Sequence, residues 1–188
     1  NRLAEGSPMS KRDAVGWSSL AVAGVILIEL TRRKVIYLSS CYLFAADTIC
    51  TDLRAKTKDE AIKEMVDLLY DAGVVTDKAV FTQVIYDREA LSSTGMGMGF
   101  AIPHGRSEVV TGPRVAVGFS RDGLDFAAQD RTLANLVFMI AISPAENNLH
   151  LKILAALSRK LMHQDFRDSL LACATREEVL EKLSVITA

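Results

Sequence analysis

Ser93 to Gly105 reads STGMGMGFAIPHG. Glycines stand at 95, 97, 99 and 105, and the run ends on Pro103 and His104. Glycine weakens a helix interior and permits tight backbone paths that other residues resist. The stretch therefore predicts a non-helical loop. Proline fixes its own φ and pushes Ile102 before it out of the helical region. One imidazole is thus aimed from a constrained piece of chain.

Regular patterns lie on both sides of this stretch. Downstream, Val115, Val117 and Phe119 alternate with Ala116 and Gly118, as in a strand. Arg121-Asp122-Gly123 reads as a turn. Leu136 to Ile142 is apolar without a break, which suits a strand buried on both faces, and Pro144 closes it. Asn147 or Asn148 is placed to cap the next helix, which carries Leu151, Leu154, Ala155, Leu157, Ser158 and Leu161 around an apolar stripe. Thr175-Arg176-Glu177-Glu178 opens a last helix as a capping box. Upstream, Thr57-Lys58-Asp59-Glu60 is another such box. Ala61, Ile62, Met65, Val66 and Leu69 follow at helical spacing, and Gly73 is a natural stop. A second helix is expected from Asp77 to Ala90, with Val80, Phe81, Val84 and Ile85 inward. Helices, then strands, then helices around one buried apolar strand predict an α/β sandwich.

Composition narrows the function classes. The 188 residues suffice for one domain with a sizeable core, and 49 % are apolar and 24 % charged. A net charge of -1 supplies no global basic field for nucleic acid. Cys41, Cys50 and Cys173 are odd in number and hold no CxxC, which argues against a disulfide framework or a zinc site. They read as reduced, buried thiols in a cytoplasmic protein, in preference to a catalytic cysteine. Residues 1–35 stand apart as an N-terminal extension. Val15 to Leu30, VGWSSLAVAGVILIEL, is largely apolar and flanked by Lys11, Arg12, Arg32, Arg33 and Lys34. A membrane span needs about 20 apolar residues, and a signal peptide would show small residues at a cleavage site where TRRK follows here. The segment is read first as a buried element packing on the domain or on another copy of the chain, which leaves a homo-oligomer open.

Three histidines carry the candidate chemistry: His104, His150 and His163. A neutral imidazole nitrogen can attack phosphorus while a hydrogen bond on the other nitrogen fixes the tautomer. Backbone N–H groups of the glycine run, with the hydroxyls of Ser93 and Thr94, could bind an anion beside it. A buried histidine satisfied by backbone fits His104 equally well on composition alone. His150 stands where a helix begins, a position that favours phosphate, although a surface capping residue accounts for it as simply. Arg88, in Asp87-Arg88-Glu89, could clamp phosphate with two donors or belong to a solvated charge cluster. His163 is expected to face water. No Walker A pattern, dinucleotide-binding glycine motif or paired carboxylates stand out.

REALSSTGMGMGFAIPHGRSE, Arg88 to Glu108, resembles the active-site signature of enzyme IIA domains of the bacterial phosphoenolpyruvate-dependent sugar phosphotransferase system, fructose/mannitol type. NNLHLKILAALSRKLMHQDFRDSL, Asn147 to Leu170, resembles a second part of the same domains. The resemblance runs from about Val35 to the C-terminus, so residues 36–188 are expected to form the enzyme IIA domain. It implies a mixed β-sheet sandwiched between helices on both faces. It also implies a phosphotransferase that accepts a phosphoryl group on His104, with His150 as second active-site histidine and Arg88 supporting the phosphoryl group. Thr94, Gly95, Gly97 and Gly99 would form the phosphate-binding loop. The implied donor is the histidine carrier HPr and the implied acceptor an enzyme IIB domain. The membrane enters only through IIC, and no metal or cofactor is implied. Arg106 replaces a lysine common in the family and keeps the charge. A nitrogen-type regulatory relative that signals its phosphorylation state to partners is the alternative. A catalytically dead domain of a transporter is a third reading, against which the two histidines speak. The sugar is not readable from this chain.

Overall fold

The computed structural model describes residues 43–146 and 148–186. The apolar segment within residues 1–35, Cys41 and Asn147 lie outside the described residues. The expected α/β sandwich is present: a mixed sheet with helices on both faces.

The sheet is organised by its most apolar stretch. β6 (Ala134–Ile142) is buried at every position but Asn135. On one side it pairs antiparallel with β5 (Arg114–Leu124), and β5 pairs parallel with β1 (Ile49–Cys50). On its other side run β3 (Phe100–Ala101) and β4 (His104–Arg106), both parallel to β6. Phe100 faces Leu136 and His104 faces Ile140, so the chain keeps one register across the break at Ile102-Pro103. Pro103 cannot donate to a ladder, but its carbonyl accepts from Ile140 N at 2.9 Å, which holds the line together. β2 (Gly95–Gly97) pairs antiparallel with β3 and covers its outer edge.

Alternation along these strands divides the apolar side chains between two cores. Ile102, Val115, Val117, Phe138, Ile140 and Ile142 pack against α3 (Leu149–Leu161), α4 (Gln164–Leu171) and α5 (Arg176–Leu183). Ala101, Ala116, Val137, Met139 and Ala141 pack against α1 (Lys58–Asp71) and α2 (Lys78–Leu91). Each fully buried Leu, Ile or Phe contributes about 1.5–3 kcal/mol of transfer energy, so both layers hold the sheet firmly.

Local signals set most helix ends. Thr57 Oγ1 accepts from Glu60 N, while Glu60 accepts from Lys56 N and not from Thr57, so this box is half formed. α1 stops at Gly73, whose φ of 72° lets Gly73 N reach Tyr70 O and Val74 N reach Leu69 O. Asp77 caps α2 through Val80 N. The box at Thr175 is complete.

Four expectations need correction. Val80 is exposed, because α2 turns only Phe81 and Ile85 fully inward. The stripe of α3 is Leu149, Ile153, Ala156, Leu157 and Leu161, while Leu151 and Ala155 face outward. This helix carries apolar residues on several sides, so their spacing fitted more than one phase. Arg121-Asp122-Gly123 is not a turn between strands but an irregularity inside β5, between Phe119 and Leu124. Asn148 occupies the cap position of α3 with a φ of 58°, and its side chain makes no capping bond. Asparagine tolerates that left-handed conformation better than most residues.

Candidate active site

The stretch expected as a loop is a β-hairpin followed by a strand. Gly97, Met98 and Gly99 have φ values of 80°, 53° and 84° and form its turn. Asp130, 32 residues on, accepts from Met98 N at 2.8 Å, and Thr132 Oγ1 accepts from Gly99 N at 3.3 Å. The bond from Met98 N, with two more from Thr132, holds the Asp130 carboxyl below its ordinary pKa. The turn lies on the order of 16 Å from His104 at the rise of extended chain. Gly97 and Gly99 are therefore not brought to His104, and two of the turn's N–H donors are already engaged. Thr94 and Gly95 lie at the hairpin's other end. Thr94 O accepts from Ile102 N at 3.0 Å, Gly95 pairs with Ala101, and Gly95 N donates to Ser93 Oγ.

β2 ends its pairing at β3, so no described strand covers the outer edge of β4. His104 opens β4 at that edge. Its side chain is half-buried, and a residue from each helical layer converges on it. Gly105 makes the first approach possible. A Cβ there would stand 2.9 Å from Val84 and 3.0 Å from Ile85, so glycine lets β4 lie against α2. Arg88, in the last turn of α2, then donates from Nε to His104 Nε2 at 2.9 Å. Its Nη1 donates to Ser92 O at 3.0 Å, which fixes the guanidinium. From the other layer comes His150, in the first turn of α3. Its charge bears on the His104 pKa, and its Nδ1 is buried without a hydrogen-bond partner among the described residues.

These contacts decide the protonation state. His104 Nδ1 lies 2.8 Å from Ile102 O. A carbonyl only accepts, so Nδ1 carries the proton and Nε2 presents its lone pair to Arg88. The His104 pKa is lowered, mainly by burial and further by the charges of Arg88 and His150. The Ile102 bond and the Glu89 charge oppose that shift. Burial and the charge of Arg106 lower that of His150 as well. Both imidazoles are thus biased toward the neutral form. Arg106 itself is exposed and donates to Pro144 O at 3.0 Å. His163 stands at the start of α4, exposed and without a side-chain capping bond.

Sequence reasoning missed Glu89. Its side chain is 7 % exposed. It accepts from Thr94 N and, at 2.6 Å, from Thr94 Oγ1, and pairs with Lys58 at 3.2 Å. Both donors of Thr94 are therefore spent on a neighbouring carboxylate. A signal was available: an acid in the last turn of a helix opposes the macrodipole and needs a compensating partner.

The family described as phosphoenolpyruvate-dependent sugar phosphotransferase system (PTS), EIIA 2, matches residues 42–185. The chain belongs to this family. Residues 42–185 thus match an EIIA domain, of the phosphotransferase class. Over 130 residues the chain is 41 % identical to the PTS system fructose-specific EIIA component of Haloferax volcanii, which covers 69 % of this EIIA chain and 84 % of that relative. Over 139 residues it is 39 % identical to the PTS system fructose-specific EIIABC component of Bacillus subtilis, covering 74 % of this chain but only 22 % of the relative. Among solved structures, the nitrogen regulatory protein IIA-Ntr of Neisseria meningitidis superposes with a TM-score of 0.71 at 29 % identity, over 76 % of this chain and 97 % of that one. The mannitol enzyme IIA in complex with phosphorylated enzyme IIB of Escherichia coli gives a TM-score of 0.65 at 28 % identity, over 75 % and 96 % of the two chains. No helix among the described residues is long and apolar enough to cross a membrane.

Proposed function

We propose that residues 36–188 form a phosphoryl-carrier domain that accepts phosphate from phospho-HPr on His104 Nε2 and passes it to an enzyme IIB domain. The observation that carries this reading is the paired contact of His104. Ile102 O holds the proton on Nδ1, and Arg88 Nε meets the Nε2 lone pair at 2.9 Å.

Chemistry of this kind needs position and charge stabilisation more than covalent help. The lone pair of His104 Nε2 attacks phosphorus in line. The P–N bond of the donor breaks, and its electron pair returns to the donor's ring. His104 keeps its Nδ1 proton throughout, so no base is required. Arg88 turns from the lone pair to the phosphoryl oxygens it then faces, and the imidazole of His150 supplies a hydrogen bond to the same group. One P–N bond replaces another, so the transfer runs in both directions.

Support for the IIB acceptor comes from the structural likeness to the mannitol enzyme solved with phosphorylated IIB. The sequence match at 41 % identity is to a fructose-specific relative, while the nitrogen regulatory protein is a structural neighbour at 29 %, the same identity as the crystal structure of the mannitol enzyme IIA. The fold superposes well on the regulatory protein too, so that second reading is kept as one arm of the test. A place in the cytoplasm, beside HPr, follows from the relay and not from the fold.

The deciding experiment follows label from phosphoenolpyruvate, through enzyme I and HPr, to the wild-type chain and to His104→Ala. Acid-labile label on the wild type alone is expected, with onward transfer to a fructose-type IIB. Equal labelling of both chains would overturn the assignment to His104. Labelling without transfer to any IIB would favour the regulatory reading.

A further inference from the structure

Glu89 makes no hydrogen bond to His104, yet its side chain is nearly closed to solvent. Its carboxylate is 7 % exposed and takes Thr94 by both donors, N at 3.1 Å and Oγ1 at 2.6 Å. Lys58, first residue of α1, balances the charge at 3.2 Å. The bonds then continue in one direction. Thr94 O accepts from Ile102 N at 3.0 Å, and Ile102 O accepts from His104 Nδ1 at 2.8 Å. A line of hydrogen bonds thus runs from Lys58 through Glu89, Thr94 and Ile102 to the imidazole.

Every link is an arrangement that the next one needs. Pro103 restricts Ile102 to extended backbone but leaves its peptide free to tilt. The bond to Thr94 O removes that freedom from one side of Ile102, which settles where its carbonyl points on the other. Thr94 in turn stands at the joint between α2 and β2, where the backbone leaves a helix and enters a hairpin. Glu89 ties Thr94, at the far side of that joint, to the helix that also carries Arg88, whose own Nη1 holds Ser92 at the near side. The adjacent residues Arg88 and Glu89 therefore address the two nitrogens of one ring, the first directly on Nε2 and the second through Thr94 and Ile102 on Nδ1.

We propose that Glu89 is a positioning residue for phosphoryl transfer, holding Thr94 and through it the Ile102 carbonyl that keeps the proton on His104 Nδ1 and leaves Nε2 free to attack. It rests on the carrier function proposed above, and it adds no step to the transfer. Without Glu89 the carbonyl drifts, part of the His104 population carries its proton on Nε2, and that part cannot form the P–N bond.

The test uses the full chain as wild type, Glu89→Gln and Thr94→Val. Glutamine keeps the volume of Glu89 and one acceptor oxygen, but it removes the charge on which both Thr94 donors converge and sets a donor amide against Lys58. Valine keeps the volume of Thr94 and removes only its hydroxyl, so it tests the same line should the first variant fail to fold. Nitrogen-15 NMR of the histidine rings at pH 8, assigned by loss of the His104 signal in His104→Ala, reads the tautomer. Uptake from phospho-HPr reads kcat and KM separately. The expected result is a single Nδ1–H tautomer in the wild type and a mixture in the variants. The variants' kcat should fall by about tenfold to a hundredfold, a usual response to small misplacement of a reacting group, with KM unchanged. A folded variant that keeps the wild-type tautomer, or keeps the wild-type kcat, overturns the proposal. A wild-type chain that takes up no phosphate defeats the carrier function instead, and the tautomer comparison still decides whether Glu89 sets the ring.

Discussion

The two ends of the glycine-rich stretch are built from the same residues and do different work. At the turn, Gly97 and Gly99 bend the backbone, and a carboxylate, Asp130, is seated beside it. A group that fills the turn with negative charge makes a poor neighbour for phosphate. At the other end, Gly105 brings β4 against α2, and the charged and hydrogen-bonding side chains come from helices: Arg88 from α2 and His150 from α3. The glycines shape the path, and the chemistry arrives on side chains from both layers. Substitution should separate the two ends.

The largest effect is expected at Arg88. Arg88→Ala removes the one donor seen on His104 Nε2 and should lower the rate of phosphoryl uptake by about 10²–10³, the usual loss for a charge-stabilising donor. Arg88→Lys should recover little of it, because an ammonium cannot hold Ser92 O and the reacting nitrogen with one planar fork. Rapid-quench measurement of labelled uptake checks both. A rate within twofold of wild type for Arg88→Ala would show that the contact with His104 is only structural.

Next come the two glycines, as a pair. Gly105→Ala places a Cβ 2.9 Å from a methyl of Val84 and 3.0 Å from one of Ile85, so these side chains must shift or β4 must move off α2, which disturbs the Arg88–His104 contact. Stability should fall by about 1–3 kcal/mol, the usual cost of overpacking, and uptake should slow as well. Gly97→Ala meets the Asp130 carboxylate at 2.5 Å from a φ of 80°. It should cost a similar amount of stability and leave uptake per folded molecule unchanged. Urea melts beside uptake rates distinguish these outcomes. Slowed uptake in Gly97→Ala would return the turn to the site.

pH gives a smaller effect with a definite sign. His104 and His150 both titrate below the ordinary histidine value of 6.5. Uptake should therefore hold from neutral pH to below 6.5 and decline only under the lowered pKa of His104. Stability follows the same direction. As pH falls through 6.5 the unfolded chain takes up protons first, so the contribution of the two rings is complete above 6.5 and is lost toward their folded pKa values. The more buried ring, His104, should dominate. Denaturant midpoints between pH 8 and pH 5 should fall less in His104→Ala than in wild type, and an equal fall would remove the ring from this account.

How much of this was legible in the sequence depends on the range of the interactions. The helix starts at Thr57, Asp77 and Thr175 were readable because a cap and its target lie within three residues. The strand Leu136–Ile142 was readable because its burial on both faces leaves no polar position. The hairpin was not, since Asp130 and Thr132 hold its turn from some 30 residues away. Glu89 resembled one member of a surface charge cluster until the fold placed Thr94 and Lys58 around it. The neighbourhood of Arg88, His104 and His150 came from the resemblance to a family and not from spacing, because the first two meet across 16 residues and the third joins them from another layer.

The smallest effect calibrates the others. Thr175 caps α5 with a complete box, and α5 packs near β1, at the sheet edge opposite the β2 hairpin. Thr175→Ala should cost about 1 kcal/mol, the usual worth of such a cap. In a domain of this size that moves Tm by roughly 2–4 °C. Native stability of about 5–15 kcal/mol leaves nearly every molecule folded after that loss, so phosphoryl uptake at 25 °C should not change. If it does not, a slower Gly105→Ala cannot be blamed on lost stability and must reflect the position of His104. If uptake drops in Thr175→Ala as well, the site is coupled to the stability of the whole sheet, and the contrast between the two ends of the hairpin loses its meaning.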